Sequence, residues 1–270
     1  MKKVFLALVL FILPLAGCGS STSSMSTSIS KMDHSNADRP STSSGTPAKM
    51  GGTYIDMPLS DIAGNAMLFD STGRNFTLSS FKGKYLVIAN FLTSCQEICP
   101  MTTANIRDIG EAIKKAGLSN IAQAMVISVD SERDTKSRIS AYKEMYGSDN
   151  WTAVSGSKES LAAIWKFFGA PATKEVFSLN ESKELPVDWE SGKPNTYDMV
   201  HADLVVIVDD KGHWRWLDLG APKTSSKVPD KLKSFLSPQG LVNLNKPEEP
   251  TWSVSAVTSA LSELMNKKIS

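Results

Sequence analysis

Lys84-Tyr85-Leu86-Val87-Ile88-Ala89-Asn90-Phe91-Leu92-Thr93-Ser94-Cys95-Gln96-Glu97-Ile98-Cys99-Pro100 joins a nearly unbroken apolar run to two cysteines and a proline. An apolar run from 84 to 92 without alternation marks a strand buried on both faces, as in sheets covered by helices on either side. Pro100 suits the first turn of a helix, Ile106, Ile109, Ile113 and Ala116 recur at helical spacing, and Gly117 stands where that helix should end. The cysteines therefore fall at a strand-to-helix junction, where open α/β sheets bind their ligands. The helix dipole and free N–H groups there favour thiolate over thiol. A spacing of four sets the two α-carbons ~6 Å apart by helical rise, within reach of a disulfide and equally able to hold one soft metal ion.

Working outward, 124–129 reads as a second buried strand, 135–145 as a helix, 151–154 as a short strand, and 157–168 as a helix with Leu161, Ile164, Trp165 and Phe168 on one face. This β-α-β alternation predicts parallel pairing. His201 to Val208, the turn Asp209-Asp210-Lys211-Gly212, and His213 to Leu219 form an expected hairpin. Residues 221–250, rich in Lys, Pro and Ser, read as a long irregular connection before a last amphipathic helix at 253–265. The fold class is α/β: a central mixed sheet flanked by helices.

The N-terminus has a different grammar. Lys2 and Lys3 precede an apolar run from Val4 to Leu15, shorter than the ~20 residues of a spanning helix, which reads as an export signal. It ends in Leu15-Ala16-Gly17-Cys18, which resembles a bacterial lipobox whose cysteine is acylated. From Gly19 to about Ala48, Ser and Thr dominate with scattered Pro and Gly, a composition that does not order itself. As a tether it would span roughly 30 Å. The expected organisation is a signal at 1–17, a lipidated Cys18 and tether over 18–52, and one domain over 53–270. Met25, Met32, Asp33, His34 and Met50 offer metal donors in or beside the tether, although a solvated linker explains them as well.

With 29 Lys+Arg against 28 Asp+Glu, the net charge of +1 leaves no basic footprint for nucleic acid. Three cysteines in 270 residues are too few for a disulfide scaffold, so packing must hold the fold. A structural zinc site would ordinarily need four Cys or His ligands at recognised spacings, and the chain has three histidines in all. His34 lies in the tether, and His213, just after a predicted turn, is expected to be exposed.

Three islands together resemble the SCO/SenC family of membrane-anchored, thioredoxin-fold proteins that deliver copper during cytochrome c oxidase assembly. Cys95-Gln96-Glu97-Ile98-Cys99-Pro100 matches its C-x-x-x-C-P loop, Val129-Asp130-Ser131-Glu132-Arg133-Asp134-Thr135 resembles its V-D-P-E-R-D-T signature, and Val200-His201 falls where its metal-binding histidine precedes a strand. The chain departs at Gln96 and Ser131, where the family commonly has proline, and in 221–250. The resemblance implies a thioredoxin-like fold and Cys95, Cys99 and His201 as ligands to copper, as Cu(I) or Cu(II). It implies cytochrome c oxidase subunit II as recipient, a thioredoxin-like reductant or another copper chaperone as further partners, and the extracytoplasmic face of the cell membrane as location. The expected role is a carrier rather than an enzyme; the alternative is a thiol–disulfide oxidoreductase cycling Cys95 and Cys99. Asp130 and Asp134 are expected either to orient the cysteine loop or to serve as strand-end and helix-cap residues.

Overall fold

The strand at Tyr85–Phe91 (β5) sits in the middle of the sheet because its side chains tolerate no water: Leu86 to Ala89 and Phe91 are all buried. It pairs in parallel with Ala122–Ser128 (β6), which pairs in parallel with Trp151–Gly156 (β7). On its other side it meets Leu204–Val208 (β10), antiparallel, itself hairpinned to His213–Leu219 (β11). The computed structural model describes residues 46–47, 51–178, 185–224, 226–247 and 252–269. The expected signal, Cys18, the tether and its His34 lie outside the described residues.

Four further strands complete the sheet: Thr46–Pro47 (β1), Thr53–Pro58 (β2), Leu68–Asp70 (β3) and Asn75–Phe76 (β4). Its order among the described residues is β1-β2-β11-β10-β5-β6-β7-β3-β4. Thr173–Val176 (β8) and Tyr197–Val200 (β9) form a separate antiparallel ribbon. The helices are Asp61–Gly64 (α1), Cys99–Lys115 (α2), Lys136–Tyr146 (α3), Lys158–Phe167 (α4), Asp230–Lys233 (α5), Pro238–Asn245 (α6) and Val254–Met265 (α7). A β-α-β unit (β5, α2, β6) joined to a β-β-α unit (β10, β11, α7), with sheet order β11-β10-β5-β6, is the thioredoxin-like arrangement.

Helix α2 comes unusually near its neighbours at Gly110, where a Cβ would stand 2.1 Å from the Asn150 carbonyl oxygen. Glycine in a helix interior costs ~1 kcal/mol of propensity, and here it permits that close approach. Thr135, Ser157 and Ser253 cap α3, α4 and α7 by accepting backbone N–H groups, as their positions before apolar-periodic stretches lead one to expect.

Two expectations change. The expected strand from His201 begins instead at Leu204, leaving 201–203 outside both flanking strands, because the Asn90 side chain takes over the backbone groups there. Residues 221–250 are not irregular throughout, since they carry α5 and α6. Pro238 begins α6, where a fixed φ fits and the missing N–H breaks no helical bond, and Ser237 caps it through Gly240 N–H. The N-terminal strands and the β8–β9 ribbon had no counterpart in the sequence reading.

Candidate metal centre

The chain leaves β5 and turns through Thr93 and Ser94 into the cysteine loop. Thr93 N–H lies 3.3 Å from both Asp134 carboxylate oxygens, and its hydroxyl donates to one of them at 2.5 Å. Arg138 donates through Nε to the same hydroxyl at 2.5 Å and through Nη2 to Ser94 Oγ at 3.2 Å. Burial pushes the Asp134 carboxyl up to about 6, against the pull of the Ser128 and Thr93 hydroxyls and of Arg138.

Helix α2 starts without a side-chain cap at Ile98. Cys95 Sγ fills that role, accepting the N–H groups of Ile98 at 3.5 Å and Cys99 at 3.4 Å. Cys99, the first residue of α2, is buried, and its Sγ accepts Leu92 N–H at 3.4 Å. Both cysteines are free. The hydrogen bond from Cys99, aided by the helix-start N–H groups, pulls the half-buried Cys95 below the ordinary thiol range. Burial, and then the Cys95 sulfur, push Cys99 well above it. Of the two, Cys95 is thus the sulfur that gives up its proton more readily.

His201 is held differently. Its side chain is only 6% exposed. Asn90, buried in β5, accepts Leu204 N–H through Oδ1 at 3.2 Å and donates through Nδ2 to Ala202 O at 2.6 Å. Those two backbone partners fix which end of the amide is nitrogen, and Nδ2 also lies 3.1 Å from His201 Nδ1. A neutral imidazole protonated at Nε2 accepts that donor. The other tautomer, protonated at Nδ1, finds Ala202 O at 3.2 Å and leaves Nε2 free for a metal. The β9 segment leading to His201 is tied back to the 129–135 motif. Tyr197 OH donates to Asp130 at 2.9 Å, and Arg133 donates to Tyr197 O at 2.9 Å with its guanidinium 3.9 Å from the ring centroid.

The two aspartates of the motif therefore divide the work: Asp134 holds the cysteine loop, and Asp130 holds the histidine arm. Three residues that sequence reasoning missed also matter. Asn90 was the only polar side chain inside an apolar run, which is the signal that a buried hydrogen-bonding role leaves. Arg138 pairs with Asp188, and with Glu190 at 3.2 Å, binding the 185–195 loop against the site. Burial alone would raise Asp188, but Arg138 and Ser191 outweigh it and hold that carboxyl well below the usual range.

The structure brings Cys95 and Cys99 together and seats His201 on Asn90, two residues before the Leu92 N–H that binds Cys99. It does not close the three into one cluster. Among the described residues, no three His, Cys, Asp or Glu side chains gather closely enough to hold a metal ion. His213 is not part of the site: it pairs with Asp56 at 2.8 Å where β11 begins, beyond the amino end of β5. None of the described helices is long and apolar enough to cross a membrane.

Two free cysteines four residues apart at a helix N-terminus, on a thioredoxin-like sheet with a histidine beside the same strand end, define a thioredoxin-fold thiol protein with soft donors. More particularly, the chain belongs to the SCO1/SenC family, whose profile matches residues 58–236. It is 28% identical over 112 residues to the SCO1 protein homolog of Bacillus subtilis, a match covering 41% of this chain and 57% of that one. With the human mitochondrial SCO1 homolog it shares 26% identity over 125 residues, 45% of this chain and 40% of the relative. It is also similar to the copper-bound ScoI structure of Bradyrhizobium japonicum, at 23% identity and a TM-score of 0.45, covering 64% of this chain and 95% of that one.

Proposed function

We propose that this protein is a copper metallochaperone that passes its cargo by ligand exchange to the dinuclear copper site of cytochrome c oxidase subunit II. Cys95, Cys99 and His201 are the ligands. The observation that carries the reading is the pair of cysteines at the start of α2, with Cys95 Sγ accepting Cys99 N–H, beside the strand end where Asn90 seats His201. Two thiolates and an imidazole suit Cu(I), and with a weak further ligand they suit Cu(II). Cys95 offers the first thiolate; Cys99 releases its proton when the metal arrives; His201 frees Nε2 by taking the Nδ1–H tautomer, exchanging the Asn90 hydrogen bond at Nδ1 for one donated to Ala202 O. Membership of the SCO1/SenC family supports the same role. In this reading the chain is exported, is held to the extracytoplasmic face of the membrane by lipid on Cys18, and is served by a thioredoxin-like reductant or another copper chaperone.

The test is metal analysis and optical spectroscopy of the full chain loaded with copper under reducing conditions. Cys95→Ser, Cys99→Ser and His201→Ala should each weaken one-to-one binding by at least about a hundredfold, beyond the 10–100-fold typical of outer-shell partners. Undiminished affinity in His201→Ala would defeat the three-ligand site.

A second reading, reduction of the recipient's cysteines, draws on the split between a depressed Cys95 and an elevated Cys99, an attacking thiolate with a buried resolving thiol. Oxidase assembly in cells with limiting copper separates the two, because imidazole takes no part in sulfur exchange. A His201→Ala form that restores full activity favours the reductase. Excess copper is the control, since a weakened site refills by mass action.

A further inference from the structure

Residues 237–247 lie beyond the stretch that the family profile matches, yet α6 rests directly on the cysteine loop. Ser237 N–H donates to Gln96 O at 3.0 Å. Gly240, one turn on, is so near that a Cβ there would sit 2.1 Å from the same oxygen and 3.1 Å from its carbon. Backbone atoms have no rotamer with which to step aside, so among the twenty residues only glycine fits this approach. From the other side the Gln96 side chain donates through Nε2 to Val187 O at 2.9 Å. Gln96 follows Cys95 directly, and both contacts therefore act on the residue that sets the Cys95 backbone.

The segment carrying α5 and α6 is itself firmly tied. Val228 and Leu232 are buried in the core. Asn105 of α2 donates to Lys223 O at 3.3 Å and accepts from Ser226 Oγ at 3.1 Å, while Arg107 donates to Lys227 O at 3.0 Å. Helix α2 also carries Cys99. One end of the segment thus grips the helix of Cys99, and the other presses on the residue after Cys95.

We infer that the segment carrying α5 and α6 is a strap that sets Cys95 against Cys99, with Gly240 as its positioning residue. This rests on those two cysteines being the working site and not on copper, so its test is read in metal-free protein. The full chain is equilibrated with mixtures of reduced and oxidised glutathione. Each oxidation forms the Cys95–Cys99 bond, breaks the glutathione disulfide, and passes two electrons and two protons to two glutathione thiols. Gly240→Ala must push the Gln96 carbonyl away and should lower the equilibrium constant for disulfide formation at least about threefold. Ser237→Ala, which removes only the hydroxyl accepting Gly240 N–H at 3.0 Å, should lower it less and in the same direction. Val242→Ala, on the exposed side of α6, should leave it unchanged.

Urea midpoints accompany each measurement, and if Gly240→Ala does not fold, Ser237→Ala decides alone. A folded Gly240→Ala protein with the wild-type constant overturns the strap. So does a shift in Val242→Ala as large as that in Gly240→Ala, which would make the effect one of general loosening. Transfer of Cu(I) from the loaded protein to a chelator is read separately. Failure to bind copper at all would defeat the proposed function while a glutathione shift still supported the strap.

Discussion

The cysteine loop and the histidine arm meet at the end of the same strand but are held in opposite ways. Thr93, Ser94, Cys95, Gln96 and Cys99 are each fixed by partners from different elements: Asp134 and Arg138 of the motif and α3, the N–H groups of α2, and the start of α6. The His201 ring stands outside both flanking strands and meets few direct partners, chiefly the Asn90 amide, while Asp130 and Arg133 hold the segment before it through Tyr197. The proposed carrier role would draw on this asymmetry: preorganised sulfurs spare the ordering cost of taking up a metal, while a ring with few direct partners could arrive last and leave first.

The first way to break that contrast is to untie the cysteine loop at Asp134, where the largest effect is expected. In the folded chain burial lifts this carboxyl to about 6, above the value near 3.9 of a free one. The folded state therefore binds the proton more tightly, so the linked stability is complete below about pH 4 and is lost as pH rises through 6. Asp134→Asn removes the slope. Wild-type stability minus that of the variant should fall by roughly 3 kcal/mol between pH 4 and pH 7.5, at 1.36 kcal/mol per unit, as read from urea melts. A flat difference would mean that Asp134 binds its proton equally in the folded and unfolded chain, so that its hydroxyl partners and Arg138 fully offset the cost of burying its charge.

A smaller effect tests the histidine arm. Asn90→Leu preserves volume but leaves Leu204 N–H and Ala202 O without their partner, a loss of about 1–3 kcal/mol for buried groups. If one amide secures the arm, copper affinity should drop roughly tenfold and the nitrogen hyperfine signature of the Cu(II) form should broaden, while thiol–disulfide equilibria stay put. An equal shift in the disulfide equilibrium would show that the two arms are one rigid unit and erase the contrast.

These residues also mark what was legible in the sequence. The strand, the C-x-x-x-C turn and α2 could be read because each is a local pattern, of period or spacing, within about thirty residues. The division of labour between Asp130 and Asp134 could not, since it depends on which distant segment folds against each: Thr93 for one, Tyr197 for the other. Strand β10 starts only at Leu204, whose N–H is taken by a side chain 114 positions away. The Lys, Pro and Ser content of 221–250 read as irregular although Pro238 starts a helix, and nothing local distinguishes Gly240, which meets Gln96 O from across the chain.

The smallest expected effect is the most discriminating, because it compares two copies of one side chain. His201 Nδ1 lies 3.9 Å from an Asp203 carboxylate oxygen and His213 Nδ1 2.8 Å from one of Asp56, so a reading based on residue type and charge partner alone would rank the two together. The setting of His213 differs in every respect that matters for soft-metal chemistry. It is about one-third exposed, its partner Asp56 is more exposed still, and it lies at the opposite end of the sheet from both sulfurs. Exposed pairs of this kind contribute little to stability, since solvent screens them and side-chain entropy opposes them. His213→Ala should therefore leave copper stoichiometry, the optical spectrum of the loaded protein and the urea midpoint within experimental error of wild type, while His201→Ala alters the first two. Loss of copper in His213→Ala would place a second metal-responsive site at the far edge of the sheet, and the asymmetry between the two arms would no longer account for binding.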